Sequence, residues 1–423
     1  MNRKFFRNWI YGGLCLWAVL QPLSIAGANL AIGVIAAGIL VQAFIERSWP
    51  LRRGADRKGS ASSRSALGAI CAPGALEKPL WIYVLVGILV SALGTGFGKS
   101  LGQIGKDSQM LADFYIFSAA FAAVAEDAVL GYWAAGFAAA ALLGLGQFAL
   151  WRWDKPAADA FNNFIAPSHF WSALYVSLRA HGTISPVSFG EIMAMAVLGA
   201  LALRITRRKT GQKAGALSAG FLLLALAALA LSGTRGAWLG FFAGAATLFF
   251  LEPRLAATET IAAAAAIIIV VFLSPRFSHV DGGLNLKEPS FADHLSLWKT
   301  GWHMFLDHPL FGVGLSHFST LFPQYHSVPF EGEIHFGNAH NLYLHQMAER
   351  GLAGLAALLL LLGTMARRAW LLRRKSFYGL WFLIWIIAFL FMNITEAALQ
   401  VGMVWMQTLA LYCWMERSAQ SQA

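Results

Sequence analysis

The chain has 423 residues, of which 58% are hydrophobic and 13% charged, with a formal net charge of +11. That balance excludes an ordinary soluble domain, whose apolar share runs at about 45–50%, and it requires most of the length to sit in lipid. The surplus of positive charge could suggest nucleic acid, but its placement along the chain decides against that.

Arg3, Lys4 and Arg7 precede the apolar stretch Trp9–Leu23, and a second apolar stretch follows at Ala28–Ile45. The first has the outline of a signal peptide, with Ala26-Gly27-Ala28 as a cleavage-like site, but the second span directly after it favours a retained helix. Residues 46–78 hold Arg47, Arg52, Arg53, Arg57, Lys58, Arg64 and Lys78 among Ser, Gly and Ala. They read as a flexible cytoplasmic loop suited to anionic lipid heads. Further spans are expected at 80–97, 109–125, 129–150, 186–203, 215–232, 236–251, 256–274, 341–365, 379–395 and 398–415. Twelve spans leave both termini on one side.

With the N-terminus cytoplasmic, segments 1–8, 46–79, 204–214, 252–255, 366–378 and 416–423 collect 22 of the 32 Lys and Arg residues. This positive-inside bias makes the basic charge a topology signal. All eleven histidines fall on the opposite side or at its membrane edge. Cys15, Cys71 and Cys413 have no paired spacing, so neither a disulfide framework nor a zinc site is expected.

Two outer segments stand out. Residues 152–185 mix Arg152, Trp153 and Lys155 with aromatics, as an interfacial belt does, and then reach Arg179-Ala180-His181-Gly182-Thr183. Residues 275–340 are long for a loop and so should have structure. Within them Phe291, Leu295, Trp298, Trp302 and Phe305 repeat at spacings of 4, 3, 4 and 3. That spacing predicts an amphipathic helix lying on the membrane surface or capping a cavity. Asp307-His308-Pro309 ends it.

Several residues could carry chemistry. Arg235, in the turn Ser232-Gly233-Thr234-Arg235-Gly236, either snorkels to lipid phosphate or offers its fork to a substrate anion. Arg179 and Arg276 are further cationic candidates. Glu396, between the last two spans, could orient an arginine or cap a helix. The run Gly337–Gly354 passes from polar residues into an apolar helix. Read as a continuous helix, it sets His340, Gly351 and Gly354 on one face, either as a working surface or as a glycine packing seam. His335, His340 and His345 are five apart, whereas a helical metal pair needs three or four.

His340-Asn341, nine residues and Gly351-Leu352-Ala353-Gly354 resemble the signature of the O-antigen ligase family, polytopic glycosyltransferases of the bacterial inner membrane. The resemblance extends to His308-Pro309-Leu310-Phe311-Gly312-Val313-Gly314, to the Ser/Thr-Arg-Gly element at Arg235, to Arg179-x-x-Gly-Thr, to Glu349 and to the acid at Glu396. It covers mainly residues 179–400. The family pattern also has an arginine shortly before the loop's Trp; here His294 precedes Trp298, and that role is not carried over.

The resemblance implies an all-α polytopic membrane protein of about twelve spans with a GT-C-like arrangement. Residues 1–274 would hold spans one to nine, 275–340 a periplasmic loop and 341–423 the last three spans. It implies glycan transfer from undecaprenyl pyrophosphate to a sugar hydroxyl of lipid A–core, with inversion and with neither metal nor cofactor. The partners would be these two lipids and the membrane, with no nucleic acid. Catalytic roles would fall to His340, Arg235 and Arg179, with Arg276, Asn341, Glu396, Trp298, Gly351 and Gly354 contacting substrate. His340 would act as base or as pyrophosphate ligand. An O-antigen polymerase is the nearest alternative, ahead of a protein O-oligosaccharyltransferase or a transporter.

Overall fold

The computed structural model describes residues 3–48, 74–93, 97–124, 127–165, 179–213, 215–273, 289–326 and 337–421. These are helical, with no strand among them, and every one of the twelve expected apolar stretches carries a helix. In chain order they are α1 (Arg3–Leu20), α2 (Ile25–Ser48), α3 (Glu77–Leu93), α4 (Phe97–Ala123), α5 (Asp127–Trp153), α6 (Lys155–Ile165), α7 (Pro186–Lys209) and α8 (Ala216–Leu231). Then follow α9 (Arg235–Leu251), α10 (Pro253–Leu273), α11 (Pro289–Asp307), α12 (Phe318–Tyr325), α13 (Leu342–Leu372), α14 (Phe377–Met392) and α15 (Gly402–Ser421).

Four helices reach the length and hydropathy of a membrane span by themselves: Ile25–Ile45 within α2, Val129–Trp153 within α5, α7 and α13. Three more, α8, α9 and α14, are apolar but shorter. The chain is a multi-pass membrane protein. The span expected at 109–125 is the C-terminal part of the longer α4, whose first half is polar.

The centre of the bundle is α7, buried along most of its length against α8, α9 and α14. Small residues permit these approaches. A Cβ at Gly199 would stand 2.6 Å from the Trp381 ring, whose Nε1 donates to Met195 O at 3.1 Å. Gly240 and Gly244, one turn apart on α9, lie against the Ala388 and Ile384 carbonyls of α14. This is the small-xxx-small packing that lets membrane helices approach closely. Cys15 and Cys413 are buried and unbridged, and Cys71 lies outside the described residues.

The outer segment does contain the helix expected from its spacing, with a different rotation. On α11 the buried ridge is Leu297, Thr300, Gly301 and Met304, and Leu295 and Trp302 face outward. Leu297 and Met304 join Val313, Phe318, Phe322, Ala339 and Ala348 in a small second core above α13.

Candidate active site

His340 and Asn341 stand before the helix rather than on it. Asn341 is the N-cap of α13, its Oδ1 accepting from Leu344 N at 3.0 Å, and His340 adopts a left-handed φ of 44°. Asn and His tolerate that region better than bulkier residues, and the Asn338 side chain supports it by accepting from His340 N at 2.8 Å. The next amide, Leu342 N, donates to the carbonyls of Asn393 and Glu396 at 3.0 and 2.9 Å. The turn before α15 is thereby tied to the start of α13 through its backbone.

These bonds set the surroundings of the His340 ring. Its Nδ1 lies 3.8 Å from Glu396 Oε2, the His294 ring sits beside it at 5.1 Å, and Trp298 Nε1 donates to its carbonyl at 3.3 Å. The residue standing before Trp298 thus reaches the central histidine. His340 precedes the helix, so helical spacing does not relate it to His345, and both line one cavity.

The helix that follows is broken. Gly351 has φ 61° and ψ −157°, inside what is otherwise α13. The backbone of residues 309–314 enters the break. Leu352 N donates to Pro309 O (2.8 Å) and Ala353 N to Leu310 O (3.2 Å), and Val313 N and Gly314 N donate to the carbonyls of Ala348 (2.8 Å) and Glu349 (3.1 Å). Backbone groups freed by a break must find partners inside a membrane protein, and this loop supplies them. A Cβ at Gly351 would stand 2.5 Å from Phe311 N. The expected helix seam at Gly351 is therefore a helix–loop seam. Gly354 lies under the Arg350 side chain, and neither glycine lines the cavity.

The adjacent charges Glu349 and Arg350 part company. Glu349 lines the cavity, with His345 Nε2 3.4 Å from its Oε2 and Phe318 N donating to its Oε1 at 3.1 Å. Arg350 is buried on the other side, donating to Asp107 Oδ2 at 2.5 Å and resting 4.4 Å from the Tyr83 ring centroid.

The cavity measures about 480 Å³. Its wall takes Gln103 and Lys106 from α4, Ser188 and Glu191 from α7, Ser316 from the loop before α12 and Ser319 from its first turn, His340, His345 and Glu349 around α13, and Glu396. In the hydropathy map these residues fall in segments opposite the basic loops or near the adjoining ends of spans. Glu191 is fully buried with neither carboxylate oxygen hydrogen-bonded, and Glu396 is close enough to act on it electrostatically. Its signal was present in the sequence: a lone acid in an apolar span is a functional candidate. Among the described residues no group of three or more His, Cys, Asp or Glu is arranged to hold a metal ion.

The arginines are placed differently from one another. Arg179 is buried, with Nε donating to Ser232 O at 2.5 Å and Nη2 to Thr234 Oγ1 at 2.7 Å, so it clasps the turn that carries Arg235. Thr234 Oγ1 in turn donates to Pro186 O at 2.9 Å, fixing the turn to the start of α7. Arg235 is exposed at the first position of α9. Its neighbour Gly236 abuts Glu396, where a Cβ would stand 3.3 Å from Oε1, so the turn flanks the cavity. Arg276 lies outside the described residues. Beside Arg179, His181 is buried, and burial, helped by the Arg179 charge, lowers its pKa to about 4.

Residues 220–359 match a family model described as O-antigen ligase. That stretch, about a third of the chain, is similar to the O-antigen ligase/polymerase superfamily. The matched stretch runs from α8 through the break in α13 and contains Arg235, Trp298, His340 and Gly351. Lys106, Arg179, Glu191 and Glu396 come from outside it. No curated protein matches the chain.

Proposed function

We propose that the chain is an O-antigen ligase of the bacterial inner membrane. It moves a glycan from undecaprenyl pyrophosphate to a sugar hydroxyl of lipid A–core on the periplasmic side, with both termini cytoplasmic and a GT-C-like bundle. One observation carries the reading. His340, from the motif that resembles the family's signature, sits in a polar cavity beside a carboxylate.

A glycan on pyrophosphate already has a good leaving group, so the reaction needs a proton acceptor for the incoming hydroxyl and positive charge for the departing diphosphate. His340 takes the acceptor proton, and Glu396, 3.8 Å from its Nδ1, stabilises the imidazolium that forms. The hydroxyl oxygen bonds to the anomeric carbon as the carbon–oxygen bond to pyrophosphate breaks, with inversion. Arg235 supplies charge at the cavity's edge. Arg179 acts through the turn it clasps, and Asn341 and Trp298 act by holding the backbone around His340. No metal takes part.

The test combines purified protein, undecaprenyl-pyrophosphate glycan and lipid A–core, with chelator and without nucleotide. Wild type is expected to place glycan on the core lipid, and folded His340→Ala to fall by at least about a hundredfold. Lengthening of the polyprenyl-linked glycan with the core untouched would make the protein a polymerase and overturn the reading.

A further inference from the structure

The cavity wall holds one lysine or arginine side chain among the described residues, and it is Lys106, on a stretch that hydropathy leaves as a connection between two spans. The structure makes that stretch the outer half of α4. Its rotation is fixed by a polar stripe at helical spacing. Ser100 Oγ donates to Leu315 O at 3.1 Å, Gln103 Nε2 donates to Asp107 Oδ1 at 3.0 Å, and Asp107 receives Arg350 at 2.5 Å. Ser100 and Asp107 are buried, so the stripe is anchored at both ends. Gln103 and Lys106, three residues apart on one helix face, both line the cavity.

Two of the three carboxylates in the wall are already engaged. Glu349 has His345 and the Phe318 amide, and Glu396 has His340. Lys106 is exposed and has no ion-pair partner among the described residues. A lysine directed into a cavity without a counterion is a point charge suited to a phosphate oxygen. Glu191, Glu349 and Glu396 in the same wall make a cation there more necessary for any anionic substrate.

We propose that Lys106 binds the diphosphate of the lipid-linked donor inside this cavity. The inference rests on reading the cavity as a glycosyl-transfer site. The ammonium keeps its proton throughout: it attracts the bound diphosphate, and more strongly the diphosphate that leaves with the electron pair of the broken carbon–oxygen bond. Arg235 approaches the same group from the Glu396 side.

The test measures binding of glycan-free polyprenyl pyrophosphate to the full chain in nanodiscs, for wild type, Lys106→Gln and Lys106→Arg. Polyprenyl monophosphate and phosphatidylglycerol serve as comparison ligands. Lys106→Gln is expected to weaken pyrophosphate binding about tenfold or more, the worth of a charged hydrogen bond. Lys106→Arg should stay within about threefold of wild type, because a single charge rather than a fork is required. In the transfer assay the loss should appear in KM for the donor, with KM for the acceptor unchanged. Equal pyrophosphate binding by wild type and Lys106→Gln would overturn the inference. So would an equal loss for phosphatidylglycerol, which would make Lys106 a headgroup anchor. A wild type that binds pyrophosphate through Lys106 yet transfers no glycan would leave the inference standing and remove the transferase reading.

Discussion

The break at Gly351 gives the sharpest stability test. Gly351→Ala puts a side chain on a residue with φ 61° and ψ −157°, a region that costs a non-glycine residue about 1–3 kcal/mol. The new Cβ also meets the Leu310 and Phe311 backbone, which cannot rotate away as a side chain would. If the loop lifts, four hydrogen bonds across the break are lost, each worth about 1 kcal/mol. The expected destabilisation is about 3 kcal/mol or more. Gly363, lower on the same helix, has nothing within 4 Å of its ideal Cβ, so Gly363→Ala should be neutral or stabilising by up to about 1 kcal/mol. Unfolding followed by tryptophan fluorescence in detergent, with both variants beside wild type, compares the two sites. Transfer activity should fall with Gly351→Ala alone, since the loop holds the Ala348 and Glu349 carbonyls beside the cavity. Indistinguishable midpoints for the two variants would refute the account of the break.

Asp107→Ala should cost about 3–5 kcal/mol in the same unfolding assay by leaving Arg350 buried without its partner, and Asp107→Leu with Arg350→Met should recover most of the loss. A harmless single substitution would show that the pair does not hold α4 to α13. Acid should destabilise the protein through His181. Its folded pKa of about 4 is below the usual 6.5, so its contribution is whole above pH 6.5 and is lost as pH falls towards 4, by up to about 3 kcal/mol. His181→Gln should flatten that part of the stability–pH curve, and an unchanged slope would assign the acid sensitivity elsewhere.

The helical framework was legible because long apolar runs leave the backbone few alternatives in lipid. The start of α13 was legible for a local reason as well: Asn341 is a good cap directly before an apolar-periodic segment. What failed was the assumption of a continuous helix. Counting 100° per residue from His340 to Gly354 takes a residue off the helix and a broken backbone for one straight rod. Gly351 could be noticed in the sequence, but its left-handed φ depends on a loop arriving from residues 309–314. Lys106 and Asp107 were hidden for another reason. The partner of Asp107 lies 243 positions away at Arg350, so no window on the sequence could show why a polar stretch stays helical.

The break also explains how one helix can both cross a membrane and shape a polar site. The half after Gly351 packs by apolar contacts, with Leu358, Leu361, Leu362 and Met365 buried. The half before it is held by backbone hydrogen bonds, to Asn393 and Glu396 at one end and to residues 309–314 at the other, and by the Arg350–Asp107 pair. His345 and Glu349 lie between those two attachments, and His340 lies just outside the first. His294 lies beside the His340 ring, and the same frame positions His340 against Glu396. Within that frame the carboxylates and histidines gather around α13 and Glu396, and Lys106 enters from α4. In the proposed reading, His340 as proton acceptor and Lys106 as cation line one cavity, the division of labour that joining a neutral sugar hydroxyl to an anionic lipid-linked donor requires.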